Sequence, residues 1–310
     1  MVQKESLKSA RHHWWPECVS KHWAGLDGKT GWLRPDGSCL RLPPRQLGMI
    51  GNGHLIKLGS RGEPTHWDES FESEFDRADR LFPSFIEWLK QLPMVDMDMS
   101  GEMRERFLAV PATEQEILRA VECLVSLAVR SPMNRESSVS LAERIRGDQL
   151  PRGQRETLIG LNMRRRQRLI ADDIGSNAKF SVLISPSKEF VFGDGFYHNV
   201  QCARPPLHEP TILAPITPHI SMLISRPWQY MKNPQLTTLV LTETEVENIN
   251  LTVQVYSKNA IYFRQEVPTV HEAFVTGEHR EFSDSHNPVS CLIHSVPGVP
   301  VPGRTLFGLF

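Results

Sequence analysis

The chain has 310 residues, of which 40% are hydrophobic and 23% charged, enough apolar material for a sizeable core and too much for wholesale disorder. Thirty-five Lys and Arg face 36 Asp and Glu, a formal charge of −1, which argues against a protein that coats nucleic acid by bulk charge. No apolar stretch approaches the ~18–20 residues of a membrane-spanning helix. The first residues, MVQKESLKSARHHWWPE, contain no apolar core of signal-peptide type, so a cytoplasmic protein without membrane contact is expected.

Residues 1–61 hold ten Lys/Arg against four Asp/Glu, a local charge of +6, together with Trp14, Trp15, Trp23 and Trp32. Within this Trp-rich region (1–66), KTGWLRPDGSCLRL reads as two short strands around Pro35-Asp36-Gly37, because Gly accepts the positive φ of a hairpin turn. The five cysteines (Cys18, Cys39, Cys123, Cys202, Cys291) are widely spaced with no CxxC pair, which reads as reduced thiols.

Helices are expected over 67–175. The segment up to 102 is acidic, with eleven carboxylates after residue 61. In 68–90, Phe71, Phe75, Ala78, Leu81, Phe82, Phe85 and Leu89 recur at helical steps, and Pro83 is expected to break or kink the helix. Thr113 with Glu116 is a capping box, followed by the stripe Ile117, Val121, Leu124 and Ala128. Two more helices are expected at 136–147 and 154–171, separated by Pro151. Residues 142–179 are basic, nine against five.

Strands dominate 176–275. KFSVLI and EFVFGD read as a hairpin about Ser185-Pro186-Ser187-Lys188, with HISMLIS, TTLVLT and AIYFR as further strands. Thr244 with Glu247 repeats the capping-box spacing ahead of Val246, Ile249, Val253 and Tyr256. From about 276 to 310 a Pro/Gly-rich tail, unable to sustain helix or ladder, ends in the apolar Leu306-Phe307-Gly308-Leu309-Phe310. The fold class expected is therefore α+β: one domain over 1–275, with a helical middle, a mainly antiparallel C-terminal sheet, and N-terminal β-hairpins packed on it.

Histidine is the side chain that titrates nearest neutrality, and His12, His13, His22 and His54 fall in the basic start. His12 and His13, adjacent on a strand, point to opposite faces. No HExxH is present, so a metal site needs distant segments. Phe192-Gly193-Asp194-Gly195 ends an apolar strand, and its flanking glycines present Asp194 as an accessible general base or metal ligand that His198 could orient. Arg164, Arg165, Arg166 and Arg168 spread around a helix, so at least one must pair with an acid or pack against the body; they are a candidate for phosphate or nucleic-acid binding beside the commoner solvated face. Gly48-Met49-Ile50-Gly51-Asn52-Gly53-His54 fits neither phosphate-loop pattern.

Taken in order, His12-His13 with Pro16, the Trp23–Gly28 turn, Phe190-Val191-Phe192-Gly193-Asp194, Ala214-Pro215-Ile216-Thr217-Pro218 with Ser221–Ile224, and Asn250 in the helix before Ala260-Ile261-Tyr262 resemble a bacterial domain-of-unknown-function family, number four-two-three-eight, over about 12–265. Departures are Phe196 where the family usually has Pro, the Trp14-Trp15 pair, and the basic N-terminal block. The resemblance implies an intracellular bacterial protein in which His12, His13, Asp194 and Asn250 gather from distant segments, in a defence or mobile-element setting.

Two functions are weighed. In the first, these four residues line a cleft of a nuclease-like hydrolase, with a divalent metal as an alternative to the proton-taking group, and the tryptophans stack bases. In the second, the His/Asn set is a structural network in a non-catalytic binding or scaffold protein whose 285–310 tail docks a protein partner.

Overall fold

A computed structural model describes residues 11–51, 55–56, 69–70, 73–94, 101–200, 209–280 and 288–301. The described residues open with β1 (Arg11–His13), a short helix α1 (Glu17–Ser20), the hairpin β2 (Thr30–Leu33) and β3 (Cys39–Leu42), and β4 (Met49–Gly51). Two-residue strands β5 (Leu55–Ile56) and β6 (Glu69–Ser70) precede helix α2 (Ser73–Gln91) and β7 (Leu108–Val110). Helices α3 (Glu114–Arg130), α4 (Pro132–Arg146) and α5 (Arg152–Ile174) follow. The remainder is β8 (Lys179–Ile184), β9 (Phe192–Gly193), β10 (Thr211–Thr217), β11 (Ile220–Ser225), β12 (Leu236–Val240), α6 (Glu243–Tyr256), β13 (Ile261–Phe263), α7 (Glu272–Thr276) and α8 (Ser290–Ser295).

The α+β class stands, with two larger sheets among the described residues, ordered β10-β11-β8-β12-β7 and β3-β2-β13-β9. All their pairings are antiparallel except β12 with β8. Every residue of β8, β10 and β11 is buried, polar ones such as Lys179, Ser181 and Ser221 included, so these strands are covered on both faces. The N-terminal hairpin does more than pack on a sheet. Strand β2 joins one, pairing Leu33 with Ile261 and Gly31 with Phe263, and the Phe263 ring fills the place a side chain at residue 31 would take.

Local chemistry explains the helix starts. Thr113 accepts from Glu116 N at 3.3 Å while Glu116 accepts from Thr113 N at 2.7 Å, the reciprocal capping box expected. The box of α6 lies two residues earlier than its spacing suggested, on Thr242 and Glu245: both threonines have a glutamate three residues on, and Thr242 is the one whose backbone is still extended, while Thr244 is already helical. Its apolar stripe is buried as expected, at Val246, Ile249, Val253 and Tyr256. Helix α2 runs through Pro83 without a break.

Two further expectations are corrected. KFSVLI and EFVFGD do not pair: β8 lies in the five-stranded sheet and β9 in the four-stranded one, joined by the loop that Ser185 begins. The segment after 276 is not devoid of helix, since α8 forms there, and Val289, Leu292, Val296 and Val299 join the main core. Residues 302–310, with the apolar terminus, lie outside the described residues. No described helix is long and apolar enough to cross a membrane.

Candidate functional site

The FGDG motif is a junction. Asp194 is only 2% exposed. Its Oδ1 accepts from Lys258 N at 2.9 Å, and its Oδ2 from Asn259 N at 2.9 Å and from Asn259 Nδ2 at 3.2 Å; its own N–H donates to the Ala260 carbonyl at 3.1 Å. The carboxylate thus holds the turn from α6 into β13. Burial raises its pKa above the usual carboxylate range, and the backbone amides of Lys258, Asn259 and Ala260 and the Asn259 side-chain amide pull it back. The glycines serve close approach: a Cβ at residue 193 would strike Ser257 Oγ, and one at 195 the Tyr256 carbonyl. The expectation of an accessible carboxylate is therefore corrected, since the glycines seat this strand on the end of α6.

Asn250 clamps the other end of the same strand. Its Oδ1 accepts from Val191 N at 2.9 Å and its Nδ2 donates to the Glu189 carbonyl at 2.9 Å, a pairing that satisfies backbone groups of an edge. His12 and His13 sit on β1, paired to β4, and do face oppositely: His12 is buried, while the half-buried His13 has Nε2 3.3 Å from the Arg45 carbonyl. His198 does not orient Asp194. Its Nε2 lies 2.9 Å from Ser131 Oγ, which is also 2.9 Å from the Ala128 carbonyl at the junction of α3 and α4.

Chain segments from the two ends do meet here. Trp15 stacks on Phe192 and on Tyr262, each with ring centroids 4.7 Å apart, and Trp14 stacks on Phe192 at 6.1 Å. Trp23 donates its indole N–H to the Ile216 carbonyl at 3.2 Å. Gly48, at φ +63°, accepts from Trp14 N at 2.7 Å and leaves 2.5 Å between a would-be Cβ and Trp15 Cβ. These tryptophans are core residues, so the expectation that they stack on bases is corrected for Trp14, Trp15 and Trp23. The structure brings the N-terminal tryptophan rings onto Phe192 of β9, while His13, Asp194 and Asn250 each bond a different backbone segment.

The arginines divide. Arg168 and Arg164 on α5 both reach Glu74 on α2, at 2.7 and 3.7 Å, and Arg166 donates to Asn134 Oδ1 at 2.9 Å; Arg165 is exposed. The acidic and basic blocks of the sequence thus meet through Glu74. Among the described residues no group of three or more His, Cys, Asp and Glu could hold a metal ion.

One polar network had no sequence signal, because its members come from three separated segments. Arg264 donates Nε to Glu189 Oε1 at 2.7 Å, and the same carboxylate takes Gln265 N on its other oxygen. Arg264 Nη2 lies 2.9 Å from His219 Nε2, and His219 Nδ1 lies 2.9 Å from the Ser185 carbonyl. A guanidinium only donates and a carbonyl only accepts, so His219 carries its proton on Nδ1. Asn250 joins this network through the Glu189 backbone.

Comparison with protein-family models, with curated proteins and with solved structures returned no match to this chain.

Proposed function

We propose that the protein works by binding, as a non-catalytic scaffold, and that its His/Asp/Asn set is structural. The observation that supports this reading is the commitment of both Asp194 oxygens to the 258–259 backbone and of both Asn250 polar atoms to the 189–191 backbone. A general base and a phosphate-holding amide must also be reachable by substrate, and both side chains are buried, Asp194 at 2% and Asn250 at 7% exposure. A networked buried set of this kind specifies one packing when each member is satisfied. The family resemblance supplies a bacterial defence or mobile-element context for such a scaffold.

The test compares the parent with His13→Ala and Asp194→Ala for cleavage of DNA and RNA, with and without magnesium or manganese, alongside thermal melts. No cleavage by any of the three, with a lowered melting temperature for Asp194→Ala, is the expected result. Cleavage by the parent that disappears in either variant while the melt is unchanged overturns the reading in favour of a nuclease-like hydrolase.

A further inference from the structure

We infer that the tip of the α4–α5 hairpin is a docking surface for an acidic amphipathic helix of a partner protein. The inference deepens the binding reading by naming a surface and a partner chemistry. Between Val139 on α4 and Ile159 on α5 no residue is fully buried; Leu150 and Leu158 pack on the main core, and the α4 face carrying Leu141 and Ile145 is left to solvent. The tip is nevertheless firmly built. Gly147 closes α4 in the left-handed region at φ 79°, donating to the Glu143 carbonyl at 2.9 Å. Glu143 Oε1 then accepts from Leu150 N and from Arg155 Nε, both at 3.2 Å, tying the turn to the first turn of α5.

On this tip Leu141 is 58% and Ile145 79% exposed. They lie one turn apart, so they share a face. Arg144 and Arg146 flank Ile145, are exposed, and meet no carboxylate among the described residues. Over 132–174 nine arginines face six carboxylates, leaving +3. Arginines in the last turn of a helix complement its dipole, which accounts for Arg144 and Arg146. It does not account for two large aliphatic side chains in water beside them. Their cover must present apolar groups at one-turn spacing and carboxylates next to them, which an acidic amphipathic helix does. A rigid tip loses little freedom on being covered.

The experiment uses the full chain and a fluorescent synthetic peptide of about 18 residues, long enough to hold a helix, with leucines on one face and glutamates elsewhere, beside a lysine counterpart. The parent is expected to bind the glutamate peptide and not the lysine peptide. Leu141→Ser with Ile145→Ser, and separately Arg144→Glu with Arg146→Glu, should each weaken that binding about tenfold or more, a tenfold loss being about 1.4 kcal/mol. Circular dichroism melts of both variants should match the parent, since all four residues are in solvent. Equal binding by variants and parent, or no binding of the glutamate peptide, overturns the inference. So does dependence of the same four residues on phosphatidylserine vesicles, on an oligonucleotide, or on self-association in place of the peptide. Failure here leaves the binding reading intact, whereas cleavage lost in Asp194→Ala or His13→Ala with an unchanged melt defeats that reading by a separate assay.

Discussion

The thiol of Cys18 lies 3.8 Å from the carbonyl oxygen of Asp79, the group four residues before Pro83. Proline has no N–H, so that carbonyl lacks its helical donor, and the thiol from α1 offers a substitute. Burial, and next the Asp79 carboxylate, raise the Cys18 pKa to about 11. Pro83→Ala, at an exposed position, restores the helical bond and should stabilise the protein by about 2 kcal/mol, read from urea unfolding. Cys18 should also resist iodoacetamide at neutral pH while the exposed Cys39 and Cys291 react. Fast alkylation of Cys18 in the folded protein would contradict this placement.

The two glycines around Asp194 should differ in tolerance. A Cβ at 193 meets the Ser257 hydroxyl, a side chain that can turn away, whereas one at 195 meets the Tyr256 carbonyl, which is backbone. Gly195→Ala is expected to cost about 3 kcal/mol or more and Gly193→Ala clearly less, by chemical denaturation. The reverse order would mean that the strand is not seated on α6 in this way.

Acid sensitivity should appear at the N-terminal hairpin. Asp27 receives Arg41 Nε at 2.8 Å and Nη2 at 2.9 Å, and these bonds, then the Lys29 amide, hold its pKa down to about 2. The folded value lies below the unfolded one of about 3.9, so the contribution is present above about pH 4 and is lost as pH falls through about 2. Carbon-detected NMR titration should show Asp27 near 2 in the parent and near its ordinary value in Arg41→Ala.

Lys179 should be intolerant of neutral replacement. Its buried ammonium donates to the carbonyls of Met231 at 3.2 Å, Lys232 at 3.4 Å and Pro234, matching three donors to three acceptors. Lys179→Met leaves those acceptors without their donor, a loss of about 2–4 kcal/mol. Faster amide exchange confined to 226–235 should accompany it; unchanged stability and exchange would refute the role.

Local signals were read well where one element decides them. The capping box of Thr113, the turn at Asp36-Gly37 and the stripe on α6 depend on neighbours a few residues away, and each forms. What failed depends on distance. Nothing near Val191 says that its strand leaves β8 for β13, where Phe192 pairs with Tyr262 and Trp15 stacks on both rings. Asp194 between glycines has the same sequence whether it faces a substrate or the backbone of 258–259; only the path of α6 distinguishes them. The exposure of Ile145 was hidden for a related reason: an aliphatic residue in a helix reads as core until the partner for its face proves absent.

The pairing of Gly31 with Phe263 sets a timetable for synthesis. Translation at about 5–20 residues per second separates the two by roughly 12–46 seconds, during which β2 has emerged and its future neighbour does not yet exist. Until then one margin of the nascent hairpin presents unpaired amides, and its tryptophans have no aromatic surface to cover them. The N-terminal third is therefore not a module that can be cut away or grafted: ribosome-bound chains halted before residue 261 should depend on a holding chaperone, and release from it should coincide with the arrival of that last strand.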